Sequence, residues 1–189
     1  MSQQERYYTL KTQNVNLNNL TVKGKILDIG GGGEGIIGQV LGDKVVAIDK
    51  LKEELEEAPE GPLKVVMDAK ELKFLAKSFN SVTSFFTLMY IEKKYHKQVF
   101  KEIYRVLKPD GCFKLWDTKI PKYKGGEKDI YLVPLEINMG SKIITTTYGV
   151  LWPGREQNIK NFIKLGKNIG FEVENYKEKD DTFFINFKK

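Results

Sequence analysis

The sequence predicts an α/β fold built on a doubly wound, mostly parallel sheet, with one antiparallel C-terminal strand and an inserted β-hairpin. Up to about residue 117, apolar runs typical of buried strands alternate with helix-like runs, the pattern of a parallel sheet covered on both faces. Two β-rich runs then follow each other without a helix between them. Two more, at the C-terminus, are joined by a link too short for a crossover, so that pair can only be antiparallel.

The first part of the chain contains five strand-like and four helix-like runs in alternation. The last helical run has its apolar residues at helical spacing, and Pro109-Asp110-Gly111 stops it. In chain order the runs are Lys25–Ile29, Gly35–Leu41, Val45–Asp49, Leu51–Ala58, Leu63–Met67, Ala69–Lys77, Val82–Leu88, Lys93–Leu107 and Cys112–Trp116.

The pattern changes after Asp117. A polar loop over Lys119–Asp129 leads to two β-rich runs joined by Asn138-Met139-Gly140-Ser141, which predicts a hairpin. A helix and the terminal strand pair complete the chain. These elements are Ile130–Ile137, Lys142–Val150, a helix from about Glu156 to Ile169 closed by Gly170, Phe171–Tyr176 and Thr182–Phe187.

We expect residues 1–189 to form one domain with four parts. An N-terminal arm (1–22) precedes the sheet-forming core (23–117). The hairpin (130–150) is inserted after the core, and the C-terminal helix with its antiparallel strand pair (156–189) follows. At this length a single hydrophobic core is sufficient for a stable fold.

The composition excludes several classes of protein. With 41% hydrophobic and 30% charged residues, the chain has the composition of a globular protein. No apolar run is long enough to cross a bilayer, and the segment Met1–Arg6 is polar, so we expect neither a membrane partner nor a secretion signal. The lone cysteine, Cys112, excludes an internal disulfide and a cysteine-based metal cluster. We therefore expect a cytoplasmic protein without a bound metal.

The net charge of +6 raises the question of a nucleic-acid partner. Of the 31 basic residues all but Arg6, Arg105 and Arg155 are lysines, and the lysines are scattered along the chain. Bidentate contacts to phosphates and bases favour arginine. A solvated, lysine-rich surface therefore explains the charge better, and we expect no specific nucleic acid as partner.

The most informative stretch is the glycine-rich segment Lys25–Gly38. An apolar strand runs into a turn packed with glycines, and a helix begins directly after it, so a ligand can approach the backbone closely. Val45–Asp49 is a second buried-strand pattern, and its terminal carboxylate lies 19 positions after Gly30. That separation is typical of a βαβ nucleotide site whose acid binds a ribose, which predicts an adenosine-bearing cofactor.

Further features distinguish between adenosine-bearing cofactors. Gly30, Gly32 and Gly35 match the spacing of dinucleotide enzymes, but that match alone is weak. Asp28 lies inside the first strand, where a dinucleotide site usually has an apolar residue, and a second acid, Asp68, ends the third strand. Together with the antiparallel C-terminal pair, these acids point away from a nicotinamide cofactor.

In these features the chain resembles the class I S-adenosylmethionine-dependent methyltransferases, which have a Rossmann-like fold. Leu27–Gly32 is similar to the first motif of that family, Ile48-Asp49 to its second, and Met67-Asp68-Ala69 to the segment that contacts adenine. Tyr104–Gly111 is similar to the helix end before strand five in the menaquinone-type, small-molecule branch. The resemblance is close over residues 23–117 and looser over the final helix and strand pair.

The resemblance implies S-adenosylmethionine as the cofactor and S-adenosylhomocysteine as its product. It implies that the glycine turn holds the methionine portion, that Asp28 braces this turn or meets the ammonium through water, and that Asp49 accepts hydrogen bonds from the ribose. Asp68 and Ala69 would contact the adenine. The implied cofactor residues are Asp28, Gly30, Gly31, Gly32, Gly35, Asp49, Lys50, Asp68, Ala69, Phe86 and Thr87.

Alternatives stay open within these motifs. Asp49 and Asp68 both precede helix-like runs and could act as helix N-caps, either instead of binding the cofactor or in addition to it. The run of four glycines followed by Glu34 can be aligned with the family motif in two registers, one residue apart.

The acceptor side is harder to predict, because methyl transfer requires alignment and exclusion of water more than a catalytic base. The candidate catalytic residues are Tyr90, which follows strand four, and Asp117, which ends strand five. The alternatives are that Tyr90 packs with Met89 and Ile91 and that Asp117 is a solvated acid that starts a loop. His96, the single histidine, we expect at the surface.

The predicted hairpin should lie over the ligand-binding edge, because it follows strand five. The N-terminal arm could close the other side through Tyr7 and Tyr8. A dimer interface is the alternative role of the hairpin, so a monomer and a homodimer are both open. Four side chains of the hairpin region are available to contact the methyl acceptor: Tyr131, Glu136, Tyr148 and Trp152.

The function that the sequence favours is methyl transfer to a small-molecule acceptor. Thr87–Ile91 lacks the Asn/Asp-Pro-Pro-aromatic sequence of enzymes that methylate base amines or glutamine amides. An RNA or protein methyltransferase is supported only by the positive charge. A non-catalytic module that binds S-adenosylmethionine and a nicotinamide-dependent oxidoreductase are the remaining alternatives.

Overall fold

The structure is a computed structural model that describes residues 3–189. The first two residues of the predicted N-terminal arm lie outside this part of the chain. Within it, the strands form a seven-stranded and a four-stranded sheet. In chain order the strands are β1 (Tyr7–Thr9), β2 (Gln13–Asn16), β3 (Ile26–Ile29), β4 (Val45–Asp49), β5 (Leu63–Val66), β6 (Phe79–Phe85), β7 (Leu107–Thr118), β8 (Ile130–Asn138), β9 (Ile143–Leu151), β10 (Glu172–Lys179) and β11 (Thr182–Lys188).

Helices cover and connect these strands. The long helices α3 and α4 carry a buried stripe of apolar residues, as helices that pack on a sheet do. Short 3-10 segments occupy Gln3–Arg6, Gly42–Lys44 and Leu88–Tyr90. The α-helices are α1 (Ile36–Leu41), α2 (Lys52–Glu57), α3 (Lys93–Val106) and α4 (Ile159–Ile169).

The larger sheet has the strand order β10-β11-β7-β6-β3-β4-β5. Strands β7, β6, β3, β4 and β5 pair in parallel, whereas β11 is antiparallel to both β7 and β10. The predicted fold class is therefore confirmed, including the single reversed strand at the C-terminal end. The reversal follows from the short turn at Asp180 and Asp181, which leaves no room for a crossover.

The predicted helix over Ala69–Lys77 is wrong, because no helix forms in this segment. Arg105 of α3 donates to the carbonyl oxygens of Leu72 and Phe74, each at 2.8 Å. The carboxylate of Glu102 accepts from the backbone N–H of Leu72 at 2.8 Å. These tertiary hydrogen bonds satisfy backbone groups that a helix would otherwise pair. The apolar spacing of the segment reflects contacts with α3.

The segment Pro109-Asp110-Gly111, predicted to stop the helix, follows the end of α3 at Val106 but lies inside a strand. β7 begins at Leu107, directly after α3, and these residues form an irregularity within the strand. The register with β6 shifts between the pairs Phe79↔Leu107 and Ser81↔Cys112, as at a β-bulge. Asp110 has a φ of 59°, a conformation that aspartate tolerates better than most residues.

The smaller sheet contains the predicted hairpin, which is confirmed as the antiparallel pair β8–β9. The predicted N-terminal arm is not a separate arm, because β1 and β2 pair in parallel with β8. Their register joins Tyr7 to Ile130 and Gln13 to Leu135. Buried and exposed residues alternate along β2, as they do in a strand with one face against the core.

The two faces of the larger sheet have different covers. α3 and α4 cover one face, with Phe100 and Phe162 buried against the sheet. On the other face the small sheet buries one side of β8 against α1 and the ends of β6 and β7. The hairpin is therefore part of the core. Within residues 3–189, every helix falls short of the length and apolar character that a membrane crossing requires. The β8 side chains in this core are Tyr131, Val133, Leu135 and Ile137.

Candidate functional site

A cavity of about 810 Å³ lies at the carboxyl ends of β3, β4, β5 and β6. Ligands of open α/β sheets bind at this edge, where the loops after the strands converge. Most of the predicted site residues line it: Gly30, Gly32, Asp49, Lys50, Asp68, Ala69, Phe86, Thr87 and Tyr90. The remaining predicted residues, Asp28, Gly31, Gly35 and Asp117, are buried behind its wall.

The turn after β3 forms the floor of one end of the cavity. Gly30 and Gly31 donate backbone hydrogen bonds to the carbonyl oxygen of Ile48, at 2.8 and 3.0 Å. Gly30 has a φ of 72°, in the left-handed region that favours glycine. A Cβ at Gly32 would lie 2.6 Å from the Cβ of Glu54, so α2 leaves no room for a side chain. The backbone is thereby exposed to the cavity.

Asp28 lies beneath this turn and is almost fully buried. Its Oδ1 accepts a hydrogen bond of 2.7 Å from the hydroxyl of Thr83. A Cβ added at Gly31 would lie 2.8 Å from its Oδ2, so the carboxyl group packs directly against the turn. Desolvation raises the pKa of Asp28 to about 7. This geometry supports the first of its two predicted roles, which is to brace the turn.

Asp49 ends β4 and presents one carboxylate oxygen to the cavity. Its Oδ1 accepts from the backbone N–H of Leu51 at 3.0 Å. Its Oδ2 lies 3.2 Å from the position that a Cβ on Gly32 would take, beside the glycine turn. α2 begins at Lys52 with Leu51 as its N-cap, so Asp49 is not the capping residue. One oxygen therefore orders the loop and the other faces the cavity.

Asp68 lies at the end of the next strand in the sheet. Its Oδ1 accepts from the backbone N–H of Lys70 at 2.8 Å, and its Oδ2 lies 3.2 Å from the Lys70 ammonium. No helix follows Asp68, so the N-cap alternative for this residue is wrong. Met67 and Ala69 flank it in the wall of the cavity and add apolar surface.

The opposite end of the cavity begins with the segment after β6. Phe86 has a φ of 50°, which is a strained conformation for a bulky side chain and occurs preferentially at functional sites. Its N–H donates to the carbonyl oxygen of Trp116 at 2.9 Å, which holds the turn. The hydroxyl of Thr87 donates to the carbonyl oxygen of Ile29 at 3.0 Å. The backbone therefore turns sharply here and directs both residues to the cavity wall.

Tyr90 is the candidate catalytic residue that lines the cavity. Its side chain is partly open to solvent, with 43% of the residue exposed. Its ring centroid lies 6.5 Å from that of Tyr148. Desolvation raises the pKa of Tyr90 to about 12. The hydroxyl is therefore protonated near neutral pH and can donate a hydrogen bond, but it does not act as a base.

Asp117 does not reach the cavity, so its predicted contact with an acceptor is wrong. The residue is fully buried, and its carboxylate accepts from Gln157 Nε2 at 2.6 Å, Thr118 N at 2.8 Å and Met89 N at 3.2 Å. Desolvation raises the pKa of Asp117 to about 7, although these hydrogen bonds act in the opposite direction and lower it. Asp117 holds the Leu88–Tyr90 turn from behind.

His96 is also placed differently from the prediction. It is buried against Phe162, where a surface position was expected. Its Nε2 donates to the carbonyl oxygens of Leu88 and Ile91, at 3.1 and 3.0 Å. Burial lowers the pKa of His96. The imidazole supports the same turn as Asp117 and has no access to the cavity.

The small sheet contributes one side chain to the cavity, Tyr148 of β9. Its hydroxyl donates to Glu34 in the glycine-rich segment at 3.0 Å, and Thr146 donates to the same carboxylate. Tyr131 is buried, and its hydroxyl donates a hydrogen bond to the carbonyl oxygen of Lys119. Trp152 donates to the carbonyl oxygen of Pro121 at 2.7 Å. Of the hairpin-region residues offered by the sequence, only Tyr148 faces the site.

Six charged residues of the cavity wall were not among the predicted site residues: Glu34, Glu54, Glu57, Lys70, Glu92 and Arg155. Glu34 interrupts the glycine run, which was a visible signal. Arg155 is one of the few arginines of a lysine-rich chain. Glu54 carried no signal, because it is one of four glutamates in α2. Among the described residues, no group of three or more histidine, cysteine or acidic side chains could hold a metal ion.

Comparisons with known proteins agree with this arrangement. Residues 27–115 match the family model described as a methyltransferase domain. No functionally curated protein matches the sequence.

Among solved structures, a protein from Pyrococcus horikoshii is similar over 89% of this chain and 84% of its own, with 19% identity and a TM-score of 0.66. A SAM-dependent methyltransferase from Methanosarcina mazei covers 90% of this chain and 94% of its own, with 22% identity and a TM-score of 0.65. An S-adenosylmethionine-dependent methyltransferase from Mesorhizobium loti covers 89% and 92%, with 13% identity and a TM-score of 0.63. At these identities the structures share the fold.

The segment that matches the methyltransferase domain runs from within β3 to within β7 and contains the predicted cofactor residues from Asp28 to Thr87. The chain is an enzyme whose cofactor is S-adenosylmethionine and whose product is S-adenosylhomocysteine.

Proposed function

We propose that the enzyme transfers the methyl group to a small-molecule acceptor, and that the cavity after β3–β6 binds both substrates. The observation that carries this proposal is the extent of the cavity. It continues beyond the predicted cofactor residues, the last of which are Phe86 and Thr87, into a chamber walled by Tyr90, Tyr148 and Arg155. A volume of about 810 Å³ lies in the upper part of the range of small-molecule sites, which supports room for a small acceptor beside the cofactor.

The residues at one end fit the cofactor. The glycine turn exposes backbone to the methionine portion, and the free oxygen of Asp49 suits a ribose diol beside that turn. Asp68 would accept from the adenine amino group, with Met67 and Ala69 beside the ring. Lys50 lies in the same wall, and its charge suits a carboxylate. Hydrogen bonds within the protein already order these side chains, so little conformational entropy is lost on binding.

The other end is suited to alignment of an acceptor. When bound, S-adenosylmethionine would supply an activated methyl group on its sulfonium, and transfer of this group to the acceptor would release S-adenosylhomocysteine. Phe86, Tyr90 and Tyr148 would exclude water and limit the directions from which an acceptor approaches. Because the Tyr90 hydroxyl is protonated near neutral pH, it would orient an acceptor by donating a hydrogen bond. The likeness of Tyr104–Gly111 to the menaquinone-type branch belongs to the same proposal.

A two-step experiment tests the proposal. Calorimetry should detect binding of S-adenosylhomocysteine to the purified protein and no comparable binding of NADH. Protein with cofactor carrying a labelled methyl group is then incubated with separated metabolite, RNA and protein fractions of a cell extract. We expect label in a small molecule. Label retained in RNA or in protein would contradict the acceptor class, and a preference for NADH would contradict the cofactor assignment.

A further inference from the structure

Arg155 occupies a distinctive position in the acceptor end of the cavity. It lies in the turn after β9, where its backbone N–H donates to the carbonyl oxygen of Trp152 at 3.1 Å. One guanidinium nitrogen, Nη1, donates to the carbonyl oxygen of Tyr90 at 2.8 Å. The side chain is half-buried and lines the cavity. The hydrogen bond to Tyr90 orients the guanidinium beside the chamber and leaves its other N–H groups for a ligand.

The three arginines of the chain are used differently. Arg6 forms a bidentate pair with Asp129 at 2.6 and 2.8 Å. Arg105 forms another with Glu102 at 2.7 and 2.8 Å. Within the described residues no carboxylate forms an ion pair with Arg155. The arginine inside the cavity is therefore the one whose fork has no anionic partner from the protein.

Three carboxylates of the cavity wall have their nearest polar partners elsewhere than at Arg155. Glu34 accepts from Thr146 and Tyr148, on the side of the glycine-rich segment. Asp68 lies 3.2 Å from its own lysine partner, Lys70. Glu92, whose pKa is lowered chiefly by Lys94 and to a lesser extent by Arg155, lies 2.8 Å from the Lys94 ammonium.

We propose that the methyl acceptor is a small planar molecule with a carboxylate group, and that the Arg155 guanidinium binds this carboxylate. The inference rests on the proposed function, because it names the substrate class of the same site. A guanidinium fork matches a carboxylate with two parallel hydrogen bonds, which a lysine cannot provide. The rings of Phe86 and Tyr90 each pack against that of Tyr148, at 42° and 79°, and together they give the wall an aromatic surface on which a flat body can pack next to that carboxylate.

Three probes of similar shape and different charge test this substrate class: benzoate, benzamide and benzylammonium. Their affinities are measured by ligand-observed NMR on protein saturated with S-adenosylhomocysteine. We expect benzoate to bind about tenfold tighter than benzamide, and benzylammonium to bind weakest. Equal affinities, or a preference for benzylammonium, would overturn the proposal. A protein that fails to bind S-adenosylhomocysteine would instead contradict the proposed function, so the two failures are distinguishable.

Variants of Arg155 test whether this residue causes the preference for benzoate over benzamide. Arg155→Gln removes the charge and Arg155→Lys keeps it without the fork, and each retains a donor for the carbonyl oxygen of Tyr90. Both should reduce the benzoate preference to about twofold or less, with S-adenosylhomocysteine affinity within about threefold of wild type. Lys160→Ala removes an exposed charge on α4 and is the control, with the full preference retained. A tenfold loss of cofactor affinity in both variants, with the benzoate preference intact, would mean that Arg155 binds the carboxylate of the cofactor and would refute the proposal.

Discussion

The two ends of the cavity are built in different ways from the same chain. The cofactor end consists of turns and carboxylates that follow consecutive parallel strands, between Gly30 and Ala69. The acceptor end combines the turn after β6 with Tyr148 of the small sheet and Arg155 of the following segment. The first end is therefore encoded by local order along the chain, whereas the second exists only where distant segments pack together.

The two ends also differ in which chemical groups they present. At the cofactor end the absence of side chains matters, since the glycine turn exposes its backbone beside the carboxylate of Asp49. At the acceptor end the side chains themselves form the wall, with aromatic rings and one guanidinium. A buried acid supports each end from behind, Asp28 at the glycine turn and Asp117 at the Leu88–Tyr90 turn. The comparison predicts that cofactor binding and acceptor selection respond to different substitutions.

Removal of the hairpin should have the largest effect and abolish both ends together. Replacing residues 130–150 with a short glycine-serine link would remove the core side of the small sheet, leave β1 and β2 without their pairing partner, and expose the apolar residues of α1, β6 and β7 that β8 covers. Burial of Tyr131, Val133, Leu135 and Ile137 contributes about 6–12 kcal/mol, comparable with the whole stability of a domain. We expect the shortened protein to show no cooperative unfolding transition in urea. Ile143→Thr, on the exposed side of β9, is the control and should change stability by less than about 0.5 kcal/mol.

A cooperative, cofactor-binding protein after this deletion would contradict the core role of the hairpin. It would instead support a hairpin that only covers the ligand-binding edge of the sheet and can be removed without loss of the fold. The two ends of the cavity would then form more independently of each other than the packing of the small sheet against α1 implies.

The acid behind the acceptor end should make stability depend on pH. The pKa of Asp117 is raised to about 7, above the value of about 4 in an unfolded chain, so its stabilising contribution is full below pH of about 4 and is lost as pH rises through 7. Asp117→Asn removes this titration. The free energy of unfolding of wild type, relative to that of this variant, should be about 2–3 kcal/mol larger at pH 5 than at pH 8, so wild type gains stability at the lower pH.

Urea unfolding at both pH values measures this difference. Asp110→Asn, at an exposed aspartate of the same strand, should show no comparable change with pH. A difference between wild type and Asp117→Asn that is equal at pH 5 and pH 8 would show that Asp117 is ionised throughout this range.

Asp49→Ala should weaken the cofactor end selectively. Loss of a charged acceptor that faces a ribose diol should cost about 1.5–3 kcal/mol, or ten- to a hundredfold in affinity for S-adenosylhomocysteine. Calorimetry measures this loss, and Asp43→Ala, at an exposed aspartate outside the cavity, should bind like wild type. Unchanged affinity in Asp49→Ala would remove this residue from the site.

Tyr90→Phe should have the smallest effect and act on the acceptor end alone. The ring is retained and one hydrogen bond is lost, so we expect kcat to fall about three- to tenfold with the identified acceptor. Cofactor affinity should stay within about twofold. Tyr176→Phe, at an exposed tyrosine of β10, is the control. A kcat of wild-type size would indicate that only the ring of Tyr90 contributes.

Sequence patterns were reliable where a local rule is sufficient. Alternating apolar runs predicted the parallel sheet, and the short link after β10 predicted its reversed strand. They failed where another part of the chain replaces local hydrogen bonds. Arg105 and Glu102 satisfy the backbone around Leu72, so no helix forms over Ala69–Lys77. In the same way, β8 supplies the pairing partner that makes strands of β1 and β2.

The site residues were likewise predictable only where a local pattern places them. Gly30, Asp49 and Asp68 could be located from the sequence, because parallel strands bring their carboxyl ends to one edge of the sheet whatever the rest of the fold does. Asp117 and His96 were assigned wrongly, since whether a polar side chain faces a cavity or a buried turn depends on what packs against it. The sequence by itself determined the sheet, the glycine turn and the cofactor class. Only the tertiary structure brought Tyr148 and Arg155 to Tyr90, because residues so far apart in the chain meet through packing that no local pattern encodes.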